Sequence, residues 1–336
     1  MHQLLYWHEE RIPEPLRKMV LASIPNDVFL VEKTTYKEDR KIQLEKIKNA
    51  EVILFAPGRW LDDEQMDAAR HVKLMQLWSS GYDKFNIRGA TQRGIPVANN
   101  GGANASCVAE HAILLMLAVY KWLPDSHQRT ITGNWTGNSH GLDMFMLEGK
   151  RVGIVGFGNI GRQVAKKLKG FDADICYFDL QRAPESVERE LGATFMSFDE
   201  LLGSSDIVTL HLHSTIETRN IIGREQIDRM KNGCVLINVS RAELVDQVAL
   251  KDALESGKMH GAGVDVYINE PTTGQEPILK LKNIVATPHM AGSTHDVYAK
   301  ALKNCVQNCV NAVKGESLKW LVNPAYEPKE VQKKTN

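Results

Sequence analysis

Arg241, Glu270 and His289 each stand just past an apolar, strand-like run, within "LINVSRAELVD", "VDVYINEP" and "ATPHMAGST". An imidazole exchanges protons near neutral pH, a neighbouring carboxylate stabilises its protonated form, and a guanidinium binds a carboxylate or a carbonyl oxygen. Any one of them alone is more often structural. Three together beyond strand ends, where open parallel sheets bind ligands, suit proton-coupled chemistry on a small acid.

A redox partner for that chemistry is written in "VGIVGFGNIGRQVAKKL", which carries Gly156, Gly158 and Gly161 in the spacing G-x-G-x-x-G, after a strand and before a helix. Gly156 would make the tight turn, Gly158 would let backbone approach a pyrophosphate, and Gly161 would let helix and strand pack closely. Asn159 and Ile160 would lie over the diphosphate. Eighteen residues on, Asp179 ends the next strand, "DICYFD". There it would accept hydrogen bonds from ribose hydroxyls and repel a 2′-phosphate, so NAD is expected rather than NADP. Arg182 is close enough to blunt that preference. Hydride transfer to a 2-keto acid needs a proton donor, a cation for the carboxylate or carbonyl oxygen, and a partner for the donor. His289, Arg241 and Glu270 are of those types.

These groups need two sets of elements to position them. From "QLLYW" to "IPVAN" short apolar runs alternate with helix-like segments, the rhythm of a parallel sheet covered by helices. "NASCVAEHAILLMLAVYKWL" follows as one long helix, apolar around much of its circumference and so expected to be buried. After the connector "TGNWTGNSHGLDMFMLEGK" a second series opens at about Arg151 and counts six strands, ending at "NIVATPH". "HDVYAKALKNCVQNCVNAVKG" reads as a final amphipathic helix that returns to the first domain. Residues 1–99 and 292–336 are therefore expected to form one discontinuous domain, and residues 100–291 an inserted one.

Length and composition bound the rest. A chain of 336 residues usually makes two domains, with room for a ligand cleft between them. Lys plus Arg and Asp plus Glu are equal at 41, and apart from the short basic tail "KEVQKKTN" no charge run gives a footprint for nucleic acid or membrane. Five scattered cysteines without a C-x-x-C pair fit a reducing cytoplasm, and Cys305 and Cys309 share a helix face suited to core packing. The N-terminus lacks a leader pattern, and Glu110, His111 and Lys121 interrupt the long helix, so a cytoplasmic protein without a membrane span is expected. His211 and His213 alternate on one strand face, but no third ligand stands at matching spacing, so no metal is expected.

The glycine turn, the Arg241 segment, the Glu270-Pro271 pair and the Pro288-His289 pair occur in the order of the D-isomer-specific 2-hydroxyacid dehydrogenase family. The chain resembles that family from about Leu77 to Thr294. The resemblance implies an α/β fold of two doubly wound parallel-sheet domains, a Rossmann NAD-binding domain inserted into a flavodoxin-like substrate domain. It implies that His289 is the acid-base group, that Glu270 hydrogen-bonds it, and that Arg241 binds substrate. Asp265 would hold the nicotinamide carboxamide, with Thr215, Val239, His289 and Gly292 also against the cofactor. "LWSSGYDKFNI" resembles the loop whose backbone N–H groups grip the substrate carboxylate, making Ser79, Ser80 and Gly81 the candidates. Apart from the resemblance, Arg59 and Trp60, in the turn after the strand "EVILF", are read two ways: facing the cleft at the far end of the substrate, or as ordinary surface side chains. The helix at about 104–123 would join two copies in a homodimer.

Two departures stand out: Ala242 where the family usually has glycine, and His213-Ser214 where it usually has a proline-leucine pair. Formate-oxidising relatives carry glutamine beside the histidine, so Glu270 favours a proton-coupled substrate. The expectation is an NAD-dependent enzyme interconverting a small D-2-hydroxy acid and its 2-keto acid. Competing readings are an NADPH-dependent glyoxylate or hydroxypyruvate reductase, NAD-dependent oxidation of a small inorganic or one-carbon acid, and an NAD(H)-sensing corepressor-like binding protein.

Overall fold

Successive side chains on a strand point to opposite faces, so an apolar run of five or six residues loads both sides of a sheet. In the computed structural model, which describes residues 1–135, 137–139 and 141–326, two sheets are built this way. The tail "KEVQKKTN" lies outside the described residues. Chain contacts divide the molecule into Met1–Asn104 with the segment from Thr294 onward, and Ala105–Ser293.

The first unit holds β1 (His2–His8), β2 (Phe29–Thr35), β3 (Val52–Ala56), β4 (Leu74–Leu77) and β5 (Val97–Ala98) in the order β2-β1-β3-β4-β5. All its strand pairings are parallel. Leu4, Tyr6, Val52 and Leu54 pack on one face with Leu302, Cys305 and Cys309 of the final helix His295–Lys314. Leu5, Trp7, Ile53 and Phe55 load the other face. Burial pushes the Cys305 thiol up to about 12, in keeping with a packing role.

The second unit holds β6 (Arg151–Val155), β7 (Asp174–Phe178), β8 (Ala193–Phe195), β9 (Ile207–Leu210), β10 (Cys234–Asn238), β11 (Met259–Val264) and β12 (Ile284–Ala286). Their order is β12-β11-β10-β9-β6-β7-β8, all parallel. That is one strand more than the six counted in the sequence. The extra strand, β8, is three residues long, too short to display an alternating pattern.

The long apolar helix expected at about 104–123 is Ala105–Tyr120, and a second helix that the sequence reading did not assign, Leu123–Ile131, follows it. Ala105–Tyr120 ends where Trp122 turns to φ 49°, and Leu123–Ile131 leaves at a 62° bend. Pro124 accounts for the break: it has no N–H to donate, and its ring would clash with the carbonyl one turn back. No single helix among the described residues is long and apolar enough to cross a membrane. Eleven of the sixteen residues of Ala105–Tyr120 are buried in this unit. The helix comes close because β11 is glycine-rich: a Cβ on Gly261 would stand 2.7 Å from Val119, and one on Gly263 2.8 Å from Leu115.

Candidate active site

The end of β12 leads through Pro288 to His289, whose backbone is left-handed at φ 54°. A residue with a side chain adopts that region only when its surroundings hold it there. Glu270, beyond the end of β11, takes His289 Nδ1 with both carboxylate oxygens, at 3.0 and 2.9 Å. The carboxylate accepts, so Nδ1 carries a proton, and Nε2 takes no part in this pair. The Tyr267 backbone N–H also donates to Glu270 Oε1, at 3.1 Å. The His289 side chain keeps 45% of its surface and Glu270 20%, so the pair is reachable from solvent.

Asp265 directly follows β11 and is fully buried. Oδ1 accepts the Met290 N–H at 2.9 Å and the Thr287 hydroxyl at 2.6 Å, and Oδ2 accepts the Ala291 N–H at 2.8 Å. One carboxylate thus holds residues on both sides of His289. The Tyr267 hydroxyl adds a bond to the Thr287 carbonyl at 2.9 Å, and burial followed by the charges of Asp265 and Glu270 pushes that phenol up to about 12. Sequence reasoning missed Thr287 and Tyr267. Thr287 lies inside the stretch that drew attention to His289, but nothing in the spacing points to its partners.

Arg241 follows β10 with extended backbone, φ −143°, and its guanidinium donates to the Ser240 carbonyl at 2.7 Å. Asn238, another residue the sequence reading passed over, donates to the Arg241 carbonyl at 2.8 Å and accepts the Ser240 N–H at 3.1 Å. Ala242 opens a short 3-10 turn and is not among the residues with positive φ, so alanine is accommodated where the family usually has glycine.

The glycine turn has the shape a dinucleotide requires. Gly156 sits at φ 95° with the His211 carbonyl 2.6 Å from where a Cβ would be, and a Cβ on Gly161 would overlap the Gly156 carbonyl. Gly158 is different: nothing lies within 4 Å of its Cβ position, which leaves open space at the N-terminus of the helix Asn159–Leu168. That space, with backbone N–H groups and the positive helix end facing it, fits a diphosphate. Asp179 Oδ2 accepts the Phe157 N–H at 2.7 Å, which ties the ribose-binding candidate to the turn. Arg182 is engaged elsewhere: its guanidinium donates twice to Glu188, at 2.9 Å each, and with the Tyr177 hydroxyl holds that carboxyl down at about 2.

The remaining cofactor candidates differ in setting. Thr215 lies in an exposed turn, where its N–H donates to Thr218 Oγ1 at 2.8 Å; Val239 is buried, and Gly292 is half-buried. His211 Nε2 meets Thr209 Oγ1 at 3.0 Å, and no group of three or more metal-type side chains gathers among the described residues.

Within the first unit, Ser79, Ser80 and Gly81 leave the end of β4. Their hydroxyls are used internally: Ser79 donates to the Gly81 carbonyl at 2.7 Å, and Ser80 lies 2.6 and 2.5 Å from Asn100 Oδ1 and Asn104 Oδ1. Asn99 donates to the Ser80 carbonyl at 2.9 Å. No acceptor for the backbone N–H groups of Ser79, Ser80 and Gly81 is found among the described residues. Arg59 pairs with the buried Glu9, which also takes Arg11, while Trp60 stands 65% exposed.

Residues 113–291 match the model of the D-isomer specific 2-hydroxyacid dehydrogenase NAD-binding domain. The chain is 33% identical to a D-3-phosphoglycerate dehydrogenase of Archaeoglobus fulgidus over 96% of its own length, and spans 60% of that protein. It is 35% identical to a glyoxylate reductase of Korarchaeum cryptofilum, covering 84% of this chain and 86% of the relative. A solved glyoxylate reductase from Paecilomyes thermophila superposes with a TM-score of 0.81 at 28% identity, covering 97% of this chain and 99% of that one. The chain belongs to the D-isomer-specific 2-hydroxyacid dehydrogenase family of oxidoreductases.

Proposed function

We propose that this protein reduces a small 2-keto acid to its D-2-hydroxy acid with NADH, and runs the reverse oxidation with NAD. The observation that carries this reading is the His289–Glu270 pair, which commits Nδ1 to a carboxylate and leaves Nε2 for the substrate oxygen. Bound NADH supplies a hydride from nicotinamide C4 to C2 of the keto acid. As the carbonyl electrons move onto oxygen, the proton on His289 Nε2 goes to that oxygen. Glu270 keeps the imidazolium favourable before transfer, an electrostatic role that matters most where water is scarce.

Arg241 takes the substrate carboxylate or carbonyl oxygen, a charge-assisted contact worth about 1.5–3 kcal/mol. The N–H groups of Ser79, Ser80 and Gly81 are the second carboxylate anchor. Gly156, Gly158, Asn159, Ile160 and Gly161 hold the diphosphate, and Asp179 the ribose. Asp265, Thr215, Val239 and Gly292 complete the nicotinamide side. The occupation of Arg182 by Glu188 supports NAD over NADP.

Glyoxylate is the first substrate to try, because several relatives at 34–36% identity are named glyoxylate reductases. Exposed Leu114, Leu123, Ile131, Phe145 and Met146 in one stretch of chain support burial against a second copy, as a homodimer. The free cysteines support a reducing compartment, the cytoplasm.

The test is NADH absorbance with a panel of 2-keto acids varying in chain length and terminal charge, repeated with NADPH. Turnover of at least one keto acid with NADH is expected. A chain that binds NADH and turns over none of them would instead be a nucleotide-sensing protein.

A further inference from the structure

We propose that His111, on the buried helix Ala105–Tyr120, is a positioning residue for His289, acting through Thr287 and Asp265. The inference rests on the acid-base reading of His289 above. His111 Nε2 lies 2.9 Å from Thr287 Oγ1, which lies 2.6 Å from Asp265 Oδ1. A threonine hydroxyl has one proton, and a carboxylate can only accept, so Thr287 donates to Asp265 and must accept from His111. The direction of the whole chain follows: His111 Nε2–H to Thr287, Thr287 O–H to Asp265, and Asp265 accepting in turn the N–H groups of Met290 and Ala291.

A second bond leaves the same helix face one turn earlier. Cys107 and His111 are four residues apart, and Cys107 Sγ donates to the Ala291 carbonyl at 3.0 Å. The helix therefore grips the residue two before His289 and the residue two after it. Between those two grips His289 takes its left-handed backbone, which ordinary side chains avoid. Close packing of the helix on Gly261 and Gly263 is what brings His111 and Cys107 within reach. Without the His111 donor, the Thr287 end of the turn loses its tie to the helix, and the imidazole of His289 loses a fixed bearing on Glu270 and on substrate.

The experiment compares Thr287→Val, Thr287→Ser, His111→Leu and His111→Gln with the parent chain. Thr287→Val and His111→Leu are expected to lower kcat for keto-acid reduction about ten- to a hundredfold, with the NADH dissociation constant within about threefold of the parent. Thr287→Ser and His111→Gln keep a hydroxyl or a donor and should recover most of the rate, which a loss of packing alone would not allow.

Imidazole N–H signals in ¹⁵N-histidine spectra give a readout that needs no turnover. The His289 Nδ1–H signal should be present in the parent and shifted or broadened in Thr287→Val. If the parent reduces no keto acid, the proposed function fails while the spectra still decide this inference. If His111→Leu does not fold, Thr287→Val carries the test. Unchanged kcat and an unchanged His289 signal in Thr287→Val overturn the proposal. So does a loss in which NADH affinity and Tm fall as far as kcat.

Discussion

Glu270 places both carboxylate oxygens on Nδ1 of His289, at 3.0 and 2.9 Å, so one of the two ring nitrogens is committed to a charge. The glutamate acts as an orienting group as much as an electrostatic one, because a bidentate acceptor fixes both tautomer and ring plane. On the proposed function, the substrate oxygen would then meet a nitrogen whose proton inventory is defined.

His289→Ala removes the proton donor but touches neither the glycine turn nor Asp179. Turnover is expected to fall by about 10²–10⁴, the usual contribution of a positioned acid or base, while NADH binding measured by fluorescence changes little. Near-parental turnover in this variant would sink the acid-base assignment.

Glu270→Gln keeps a hydrogen-bond acceptor for Nδ1 and deletes the charge. Keto-acid reduction should slow by about tenfold or more, the equivalent of ~1.4 kcal/mol in the transition state. The effect should appear in kcat rather than in substrate KM. A rise in KM with kcat untouched would mean that the carboxylate serves binding alone.

Gly158 and Gly161 separate cofactor binding from folding. A Cβ on Gly158 meets nothing within 4 Å and the backbone there has an ordinary φ of −77°, so Gly158→Ala should fold with parental Tm and lose NADH affinity. A Cβ on Gly161 overlaps the Gly156 carbonyl, so Gly161→Ala should lose stability by about 1–3 kcal/mol, the usual cost of overpacking. Parental NADH affinity in a folded Gly158→Ala chain would put the diphosphate elsewhere.

Much of this site was legible because its groups sit in short, ordered motifs at strand ends. The five strands of the first sheet show as separate apolar runs, and the glycine spacing announces the turn. What was not legible lies off the chain's own periodicities. The three-residue strand β8 has no pattern to show, and the nine-residue helix Leu123–Ile131 has no buried side chain to mark an apolar face. The bond from His111 to Thr287 joins residues 176 apart, and only the packing of the Ala105 helix on Gly261 and Gly263 brings them together.

In the proposed function, cofactor preference rests on two carboxylates. Asp179 sits on the turn through the Phe157 N–H, and Glu188 holds Arg182 with two bonds of 2.9 Å. Asp179→Ala should reduce the NADH-over-NADPH ratio of kcat/KM by about tenfold, or ~1.4 kcal/mol. Adding Glu188→Ala frees a guanidinium for a 2′-phosphate and should move the ratio further toward NADPH. A ratio unchanged in the double variant would remove Asp179 from the ribose site.

His211 gives the molecule an acid-sensitive element beside the glycine turn. The residue keeps part of its surface, but Nδ1 is enclosed and has no partner among the described residues, while Nε2 meets Thr209. Burial lowers its pKa from 6.5 to about 3. Between those values the unfolded chain holds a proton that the folded chain refuses. This group's contribution is therefore fully present above about pH 6.5 and is lost as the pH falls toward 3, with a slope approaching ~1.4 kcal/mol per pH unit. His211→Gln removes the titration. Urea unfolding from pH 7 down to pH 4 should show the parent losing stability faster than the variant, with the carboxylates contributing alike to both. Parallel curves across that window would mean that the His211 ring accepts its proton without unfolding.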